Sequence, residues 1–391
     1  MDRESTGGRP RVRCALDDGA AVTLTVAIDA GPLHGARTGV GNAVAWSLDA
    51  LRELDDVELA PYVISTRART QRPERRLPIP ASAALRLWAR TSTPVDRWLG
   101  NPDVVHGTNY VVPPTRCARL VSVYDCWFLE HPEDAVPDVR RAGLVLRRAV
   151  AEGAHVVTSS DATTRRVREL LDTERVDTVL LGPPPVPVAP VPTAVPAGLP
   201  ELTTGPFILS LATFERRKNL PTLVAAFARL GREHPTVRLV LAGALGNDAS
   251  AVERAIDRLD PAVAERVVRT GPVGDEAKRW LLAHARTLAY PSLDEGFGFP
   301  ILEAQQHGVP VVASTGGSIP QVAGPAALLS PPLDAEALAA NLYWIITSDD
   351  MHAKLVRRGR ANLQRFSWAD TACRLGDLYG RLAEDRAGAG G

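Results

Sequence analysis

Residues 290–314 read YPSLDEGFGFPILEAQQHGVPVVAS, and this stretch decides the fold. The stretch begins at the last residue of an apolar strand predicted at 287–290. Residues 292–299 then form a loop rich in turn-forming residues. Pro300 suits the first position of a helix. Gly308, just before the apolar strand predicted at 309–313, suits the end of that helix. The order strand, loop, helix, strand predicts a parallel crossover of an α/β sheet.

Two glycines and two glutamates make this loop a candidate binding site. Gly296 and Gly298 let the backbone approach a ligand closely, with N–H groups at the start of a helix. Glu295 and Glu303 have seven residues between them, and both can face the crevice at the carboxyl ends of the strands. An ionised carboxylate offers only acceptors, so the pair suits neighbouring hydroxyls of a sugar or a ribose.

Two other interpretations of the glutamates stay open. A glycosidase would need one of the two acids protonated near neutral pH. The positive end of the helix favours the ionised form of Glu303, which argues against that chemistry. An ordinary surface loop, followed by a glutamate in the favoured first turn of a helix, is the second alternative.

The segment from Pro291 to Ser314 resembles the E-x7-E signature of the retaining glycosyltransferases of the GT4 family. The resemblance implies the GT-B fold, an α/β architecture of two doubly wound, Rossmann-like domains that face each other across a cleft. It also implies Glu295 near the transferred sugar and Glu303 on the nucleotide ribose. The N–H groups beside the sugar would be those of Gly296, Phe297, Gly298 and Phe299.

Composition excludes several classes of protein. The chain has 391 residues, enough for two domains, and 45% of them are hydrophobic, as in ordinary globular proteins. Lys+Arg and Asp+Glu both total 45, so no net field points to nucleic acid. The lysines are only Lys218, Lys278 and Lys354, a skew towards arginine that we interpret as the coding bias of a GC-rich genome.

The expected location is cytoplasmic. The four cysteines form no C-x-x-C pair, which favours a reducing compartment, and the polar start favours no signal peptide. No apolar run approaches the roughly 18 residues of a membrane span. The segment 66–80, with five arginines between 67 and 76, is typical of a solvated loop, and the arginine-rich segment 140–152 is typical of a core-facing helix. Contact of either with an anionic acceptor or the inner face of a membrane stays open.

The chain divides into five predicted parts. A proline-rich segment without periodicity is typical of a stiff linker, and it separates two α/β halves. The parts are a disordered tail (1–22), an acceptor-side domain (23–182), the linker (183–206), a nucleotide-sugar-binding domain (207–370), and a final segment (371–391) whose helix braces the first domain before a short tail.

In the first domain, a glycine-rich loop follows the first predicted strand. Such a loop at the start of a helix can bind an anion, although a plain tight turn stays open as the alternative. The loop resembles the N-terminal glycine loop of GT4 enzymes, and on that basis Gly39 and Gly41 are expected to face the donor diphosphate or the acceptor.

Two further strands of this domain end in polar residues on the edge that lines the crevice. His106 and Asn109 belong to the first of them, and Tyr124 and Asp125 to the second. GT4 relatives commonly have His-Asp at the second place, so Tyr124 departs from the pattern and removes a histidine contact to the sugar. His106, Asn109, Tyr124 and Asp125 are therefore the candidate acceptor or sugar contacts. A structural hydrogen-bonding role for His106 is the alternative.

In the second domain, residues 216–219 read RRKN. The segment resembles the R-K-N segment of GT4 enzymes, which implies Arg217 and Lys218 on the donor phosphates. Many relatives have a further arginine five or six residues before the lysine, where this chain has Ala212 and Thr213. Val273 belongs to a loop that resembles the one whose backbone meets the nucleobase.

The function that follows is transfer of a hexosyl group, with mannosyl favoured, from a nucleotide-diphosphate sugar to a hydroxyl of a glycan, a lipid-linked sugar or a metabolite. The resemblance implies retention of the anomeric configuration, with Glu295, Lys218 and Arg217 as the catalytic residues. No D-x-D motif stands at a strand end of the first domain, so neither a metal nor a cofactor is expected. A UDP-sugar donor, a phosphorylase and a non-catalytic sugar-binding module are the alternatives.

Overall fold

The computed structural model describes residues 23–35, 37–70, 73–186, 190–197, 199, 202 and 205–388. The tail predicted at 1–22 and the last three residues lie outside this range.

The first half of the chain forms a parallel seven-stranded sheet. Its strands are β1 (Leu24–Asp29), β2 (Val57–Ile64), β3 (Arg75–Leu77), β4 (Val104–Gly107), β5 (Ala118–Val123), β6 (His155–Thr158) and β7 (Val176–Thr178). The helices are α1 (Gly39–Leu51), α2 (Ala81–Trp88), α3 (Asp96–Leu99), α4 (Trp127–Glu130), α5 (Pro137–Ala151) and α6 (Asp161–Leu171). The strand order is β3-β2-β1-β4-β5-β6-β7.

The second half forms a parallel six-stranded sheet. Its strands are β8 (Phe207–Leu211), β9 (Arg238–Ala242), β10 (Val267–Gly271), β11 (Thr287–Tyr290), β12 (Val311–Ser314) and β13 (Ala327–Ser330). The helices are α7 (Leu220–Glu233), α8 (Ala249–Asp257), α9 (Pro261–Ala264), α10 (Asp275–His284), α11 (Phe299–Gln306), α12 (Ile319–Ala323), α13 (Ala335–Thr347), α14 (Asp349–Leu363) and α15 (Trp368–Gly388). The strand order is β10-β9-β8-β11-β12-β13.

Both sheets confirm the predicted doubly wound α/β fold. In each sheet the second and third strands lie on one side of the first strand, and the fourth and later strands lie on its other side. This change of side leaves a crevice between β1 and β4 in the first sheet and between β8 and β11 in the second. The central strands are apolar and buried because helices cover both faces of a parallel sheet. In the second sheet, Phe227 of α7 and Leu342 of α13 pack on one face, and Leu281 of α10 and Ile301 of α11 pack on the other.

Helix α15 returns to the first sheet and packs on it. Leu375, Leu378 and Tyr379 are buried in one core with Val26 and Ile28 of β1. The helix period places these side chains on one face of α15, which is the face that meets the sheet.

The chain crosses between the two sheets twice, and the two crossings touch. At the first crossing, the carbonyl of Pro183 accepts a hydrogen bond of 2.7 Å from the indole N–H of Trp368, the first residue of α15. The hydroxyl of Thr371 donates to the carbonyl of Leu180 at 2.8 Å. A Cβ on Gly182 would lie 2.4 Å from the Trp368 ring, so only glycine fits there.

Some predicted features differ from the structure. The segment 66–80, predicted as a loop, contains β3, a three-residue edge strand beside β2. Cys373 is disulfide-bonded, contrary to the expectation of reduced cysteines, whereas Cys117 and Cys126 are free. Within the described part of the chain, we find no helix with the length and apolar character that a bilayer crossing requires.

Candidate active site

The crevice between β8 and β11 brings two sequence-distant segments together. A turn, Arg216–Lys218, follows β8, and the loop before α11 follows β11. Asn219 joins the two: its side-chain amide donates to the carbonyls of Pro291 at 3.0 Å and Pro332 at 2.6 Å. Asn219 has φ of 53°, a left-handed conformation that asparagine tolerates better than most residues. The turn is therefore fixed beside the β11 loop.

Glu295 lies between the two predicted phosphate-binding cations. One carboxylate oxygen is 2.7 Å from Nη1 of Arg217, and the other is 2.6 Å from Nζ of Lys218. The Glu295 side chain is 6% exposed, and those of Arg217 and Lys218 are 16% and 14% exposed. The structure thus brings together all three residues predicted to be catalytic.

The cations keep Glu295 ionised. Burial alone raises the pKa of this carboxyl, but the charges of Lys218 and Arg217 outweigh burial and lower it from 4.5 to about 2. Burial lowers the pKa of Lys218, and Glu295 opposes that effect. The pKa of Arg217 is raised because the charges of Glu295 and Asp125 outweigh its desolvation. At neutral pH the site holds one more positive than negative charge on these three side chains.

The loop beyond Glu295 presents backbone donors. Gly298 has φ of +101°, a region that favours glycine. In the described part of the chain, the N–H groups of Gly296, Phe297, Gly298 and Phe299 make no hydrogen bond within the protein. The Phe297 ring is buried and packs against Phe366, so this residue offers its backbone rather than its side chain.

Glu303 lies on the same side of the molecule as Glu295. Its carboxylate accepts from the ammonium of Lys278 on α10. The hydroxyl of Tyr290 is 3.5 Å from Nζ of Lys218. Burial raises the pKa of this phenol, and the charges of Glu295 and Glu303 both act in the same direction. Both acids are therefore close enough to act on one phenol.

The first sheet closes over this loop. A Cβ on Gly296 would lie 1.5 Å from the carbonyl oxygen of Tyr124, so the two backbones are in direct contact. The hydroxyl of Ser159 donates to the carbonyl of Gly296 at 3.1 Å. The rings of Trp46 on α1 and Phe299 lie edge to face at 5.3 Å.

Asp125, Asn109 and Val273, three further predicted contacts, differ in their burial and in their partners. Asp125 accepts from the N–H of Trp127 at 3.2 Å and from the hydroxyl of Tyr110 at 3.4 Å, and its charge acts on Arg217 across the cleft. Asn109 is exposed. Val273 is half-buried and packs against the core of the second domain.

His106 has the contacts of a structural residue. Its Nδ1 is 2.7 Å from the Tyr379 hydroxyl, and its Nε2 is 2.8 Å from the Ser122 hydroxyl. Burial lowers its pKa from 6.5 to about 3, so the ring is neutral. A sugar contact through either nitrogen would require one of these hydrogen bonds to break.

The glycine loop of the first domain lies at the start of α1. The N–H of Gly41 donates to Oγ1 of Thr38 at 3.3 Å, so the Thr38 side chain caps the start of α1 and occupies this N–H group. A Cβ on Gly41 would lie 2.7 Å from the carbonyl of Pro32, whereas the space around Gly39 is open. Of the two, Gly39 is the one with room beside it for a ligand.

Two residues of the site were not predicted. The signal for Asn219 was its place in the RKN segment, but its two carbonyl partners are 72 and 113 residues away. The sequence shows Lys278 only as one of three lysines, and its contact with Glu303 joins two different helices.

Comparison with solved structures identifies the fold. Sucrose-phosphate synthase from Thermosynechococcus elongatus superposes with a TM-score of 0.69 at 20% identity, over 92% of this chain and 99% of that one. HepE from Anabaena, in complex with UDP and glucose, has a TM-score of 0.64 at 14% identity, over 92% and 100%. At these identities the likeness establishes the fold, and the fold is GT-B.

Comparison of sequences then gives the family. The family model described as "Glycosyl transferases group 1" matches residues 195–362. O-antigen chain mannosyltransferase B from Escherichia coli is 30% identical over 288 residues, which are 71% of this chain and 74% of that protein. The chain belongs to the group 1 glycosyltransferases.

Proposed function

We propose that the chain transfers a mannosyl group from GDP-mannose to an acceptor hydroxyl, with retention of the anomeric configuration and without a metal or a cofactor. The observation that carries the proposal is the contact of Glu295 with Arg217 and Lys218 beside backbone N–H groups that donate to no other residue the structure describes. This arrangement offers an acceptor for sugar hydroxyls and donors for a leaving diphosphate in one crevice.

The two cations keep capacity for phosphate while they hold Glu295. A guanidinium has five N–H donors and an ammonium has three, so each can donate to the carboxylate and to a phosphate oxygen together. In the proposed reaction, the bond from the anomeric carbon to the diphosphate breaks and the bond to the acceptor oxygen forms on the same face. The hydroxyl proton leaves with the diphosphate, whose negative charge Arg217, Lys218 and the loop N–H groups stabilise.

Mannose is favoured because the long match to O-antigen chain mannosyltransferase B covers most of both chains. A UDP-sugar is the second candidate, and the structural neighbour that holds UDP and glucose supports testing it. Polysaccharide, lipid-linked sugar and metabolite are all candidate acceptors, and Asn109, an expected acceptor contact, is exposed.

The test is a thermal-shift screen of GDP-mannose, UDP-glucose and other nucleotide sugars, followed by an assay for nucleoside diphosphate release. A donor present at 100 times its Kd stabilises the native state by about 2.7 kcal/mol. Release of GDP from GDP-mannose, undiminished by EDTA, with an α-linked product by NMR, is the expected result. Stabilisation by free phosphate with sugar 1-phosphate turnover would show a phosphorylase, and binding without turnover would show a sugar-binding module.

A further inference from the structure

The bonding partner of Cys373 lies outside the described residues. The chain has four cysteines, of which Cys117 and Cys126 are free thiols and Cys373 is disulfide-bonded. The fourth is Cys14, in the N-terminal segment 1–22 that precedes the described part of the chain. Within one molecule, Cys14 is therefore the cysteine with which Cys373 can bond.

Cys373 lies within reach of this segment. It is half-buried on α15, where it packs against the same core as Leu24 of β1. A Cβ on Gly380 of the same helix would lie 4.0 Å from the Leu24 side chain. The helix rises by about 10 Å between Cys373 and Gly380. The chain between Cys14 and Thr23 spans up to about 30 Å when extended, so it is long enough to reach Cys373.

Two connected grooves run from the start of the described chain towards Cys373. The first, the edge groove, is lined by Thr23, Glu58 and Pro61. The second, the hinge groove, is lined by Trp46, Pro185 and Trp368. Arg52 and Leu54 line both, so the two grooves are continuous. Ala372, the neighbour of Cys373, also lines the hinge groove. A segment that precedes Thr23 can therefore follow the grooves to Cys373.

The charges of the grooves complement those of the segment. The hinge groove has an apolar wall of tryptophan and proline, beside the acidic side chains of Asp49 and Glu53. Residues 9–13 read RPRVR, which supplies three positive charges with valine and proline between them. Arg52, which faces both grooves, suits the two aspartates at 17–18. Its exposed pair with Asp49 costs little to exchange.

An occupant of the hinge groove would contact the parts that move when the cleft opens. Pro185 belongs to the first crossing between the two sheets and Trp368 to the second. The Trp46 ring lies 5.7 Å from that of Trp368 and 5.3 Å from that of Phe299, at the end of the candidate sugar loop. A segment seated in this groove is thus placed to restrict the hinge.

We propose that the N-terminal segment 1–22 is the occupant of the two grooves, and that a disulfide between Cys14 and Cys373 fixes it there. The bond forms by exchange with a small-molecule disulfide such as oxidised glutathione. The two cysteine thiols lose two electrons and two protons, and the small-molecule disulfide takes them up as it becomes two thiols. A dithiol reductant reverses the exchange and leaves the segment held by its non-covalent contacts alone.

The first experiment maps the bond. The chain is equilibrated with oxidised glutathione, denatured, alkylated and digested for mass spectrometry. We expect a linked pair of peptides that contain Cys14 and Cys373, with Cys117 and Cys126 outside the link. Alkylation or glutathionylation of both Cys14 and Cys373 would overturn the inference, and so would a link between two copies of the chain.

The second experiment tests the docking by hydrogen–deuterium exchange of the oxidised chain at residues 46–54 and 368–373. Cys14→Ser combined with Arg9→Glu, Arg11→Glu and Arg13→Glu removes both the link and the charge match. Exchange should become roughly tenfold faster there, the factor that about 1.4 kcal/mol of local stabilisation gives. Cys14→Ser alone should lie between this variant and wild type.

Cys117→Ser is the matched control, because Cys117 is also half-buried but is a free thiol. It should exchange as wild type does at both stretches. Equal exchange in wild type and in the combined variant would show that the N-terminal segment does not occupy the grooves, even where the disulfide forms.

Discussion

Glu295 is held by the same two cations that the donor phosphates would need. Its carboxylate is 2.7 Å from Arg217 and 2.6 Å from Lys218, with little exposure to water. An anion that approaches these cations meets a negative charge already in place. Glu295 therefore has two opposite effects, because it binds sugar hydroxyls in the proposed reaction and weakens the attraction for phosphate.

Glu295→Gln separates these effects. We expect turnover to fall by roughly 100-fold, since a charged group of the site is lost. The affinity for GDP should rise by roughly tenfold, about 1.4 kcal/mol, because the competing charge is gone. Calorimetry and a turnover assay on the same preparation check both. Glu215→Gln is the control: its carboxylate is 3.9 Å from Arg217 but 44% exposed, so little change is expected. Unchanged turnover in a folded Glu295→Gln variant would remove Glu295 from the mechanism.

The lowered pKa of Glu295 also predicts a pH dependence of stability. The folded-state pKa is about 2 and the ordinary value is 4.5, so the ionised form stabilises the fold fully above about pH 4.5. That stabilisation is lost as the pH falls from 4.5 towards 2. The difference in the free energy of unfolding between wild type and Glu295→Gln should be constant from pH 5 to 8 and should shrink below that range. Denaturant titrations at several pH values measure it, and a difference that grows on acidification would contradict the assigned charge state.

For single residues, the sequence predicted which residue types form the site and that they lie at the carboxyl ends of the strands. Glu295 and Lys218 were expected in one cleft because the resemblance implies one near the transferred sugar and the other on the donor phosphates. Their direct contact depends on side-chain reach across 77 residues of sequence, which no local pattern contains. The Lys278–Glu303 pair was missed for the same reason.

Among the elements, the turn between β8 and α7 depends most on one side chain. Asn219 is buried, adopts a left-handed conformation, and bonds two carbonyls from other loops. The position of Arg217 and Lys218 follows from these bonds, since the turn that contains them has no buried side chain of its own.

Asn219→Ala should destabilise the protein by about 2–3 kcal/mol, because two carbonyls lose their donor and alanine disfavours positive φ. The affinity for GDP should fall in parallel, as the turn loses its fixed position. Denaturant unfolding and calorimetry provide the two measurements. Asn247→Ala is the control, since this exposed side chain accepts a single bond from the N–H of Arg216. Equal effects of the two substitutions would show that the buried contacts of Asn219 are not what holds the turn.

Element prediction succeeded where periodicity was strong. The strand predicted at 287–290 is β11, and the predicted helix after it is α11, shifted by one residue. Strand β3 was missed because three residues carry no detectable alternation and their pairing with β2 is not local. Helices α2 and α3 were also missed, since they are eight and four residues long and begin without a side-chain cap.

In the whole molecule, the two domains meet at the site. Gly296 touches the Tyr124 backbone, and Gln321 exchanges two hydrogen bonds of 2.9 Å with Asp161. Closure of the cleft therefore depends on a position where any side chain would collide with backbone.

Gly296→Ala should hold the domains apart, because its Cβ would lie 1.5 Å from a carbonyl oxygen. We expect normal stability of each domain, a larger radius of gyration by small-angle X-ray scattering, and turnover lowered by roughly 100-fold, as for other misplaced catalytic groups. Gly380→Ala on α15 is the control, since its Cβ would meet only one side-chain atom at 4.0 Å. A Gly296→Ala enzyme with full turnover would show that this contact forms no part of the catalytic conformation.

The contact between Gly182 and Trp368 has a mechanical consequence. Because both crossings of the chain pass side by side at this point, the two domains share one hinge rather than two separated ones. Such a joint permits rotation about a single axis and resists sliding of one domain along the other. Residues near Trp368 would move least when the enzyme opens to exchange substrate and product, and the far rim of the cleft would sweep the largest arc.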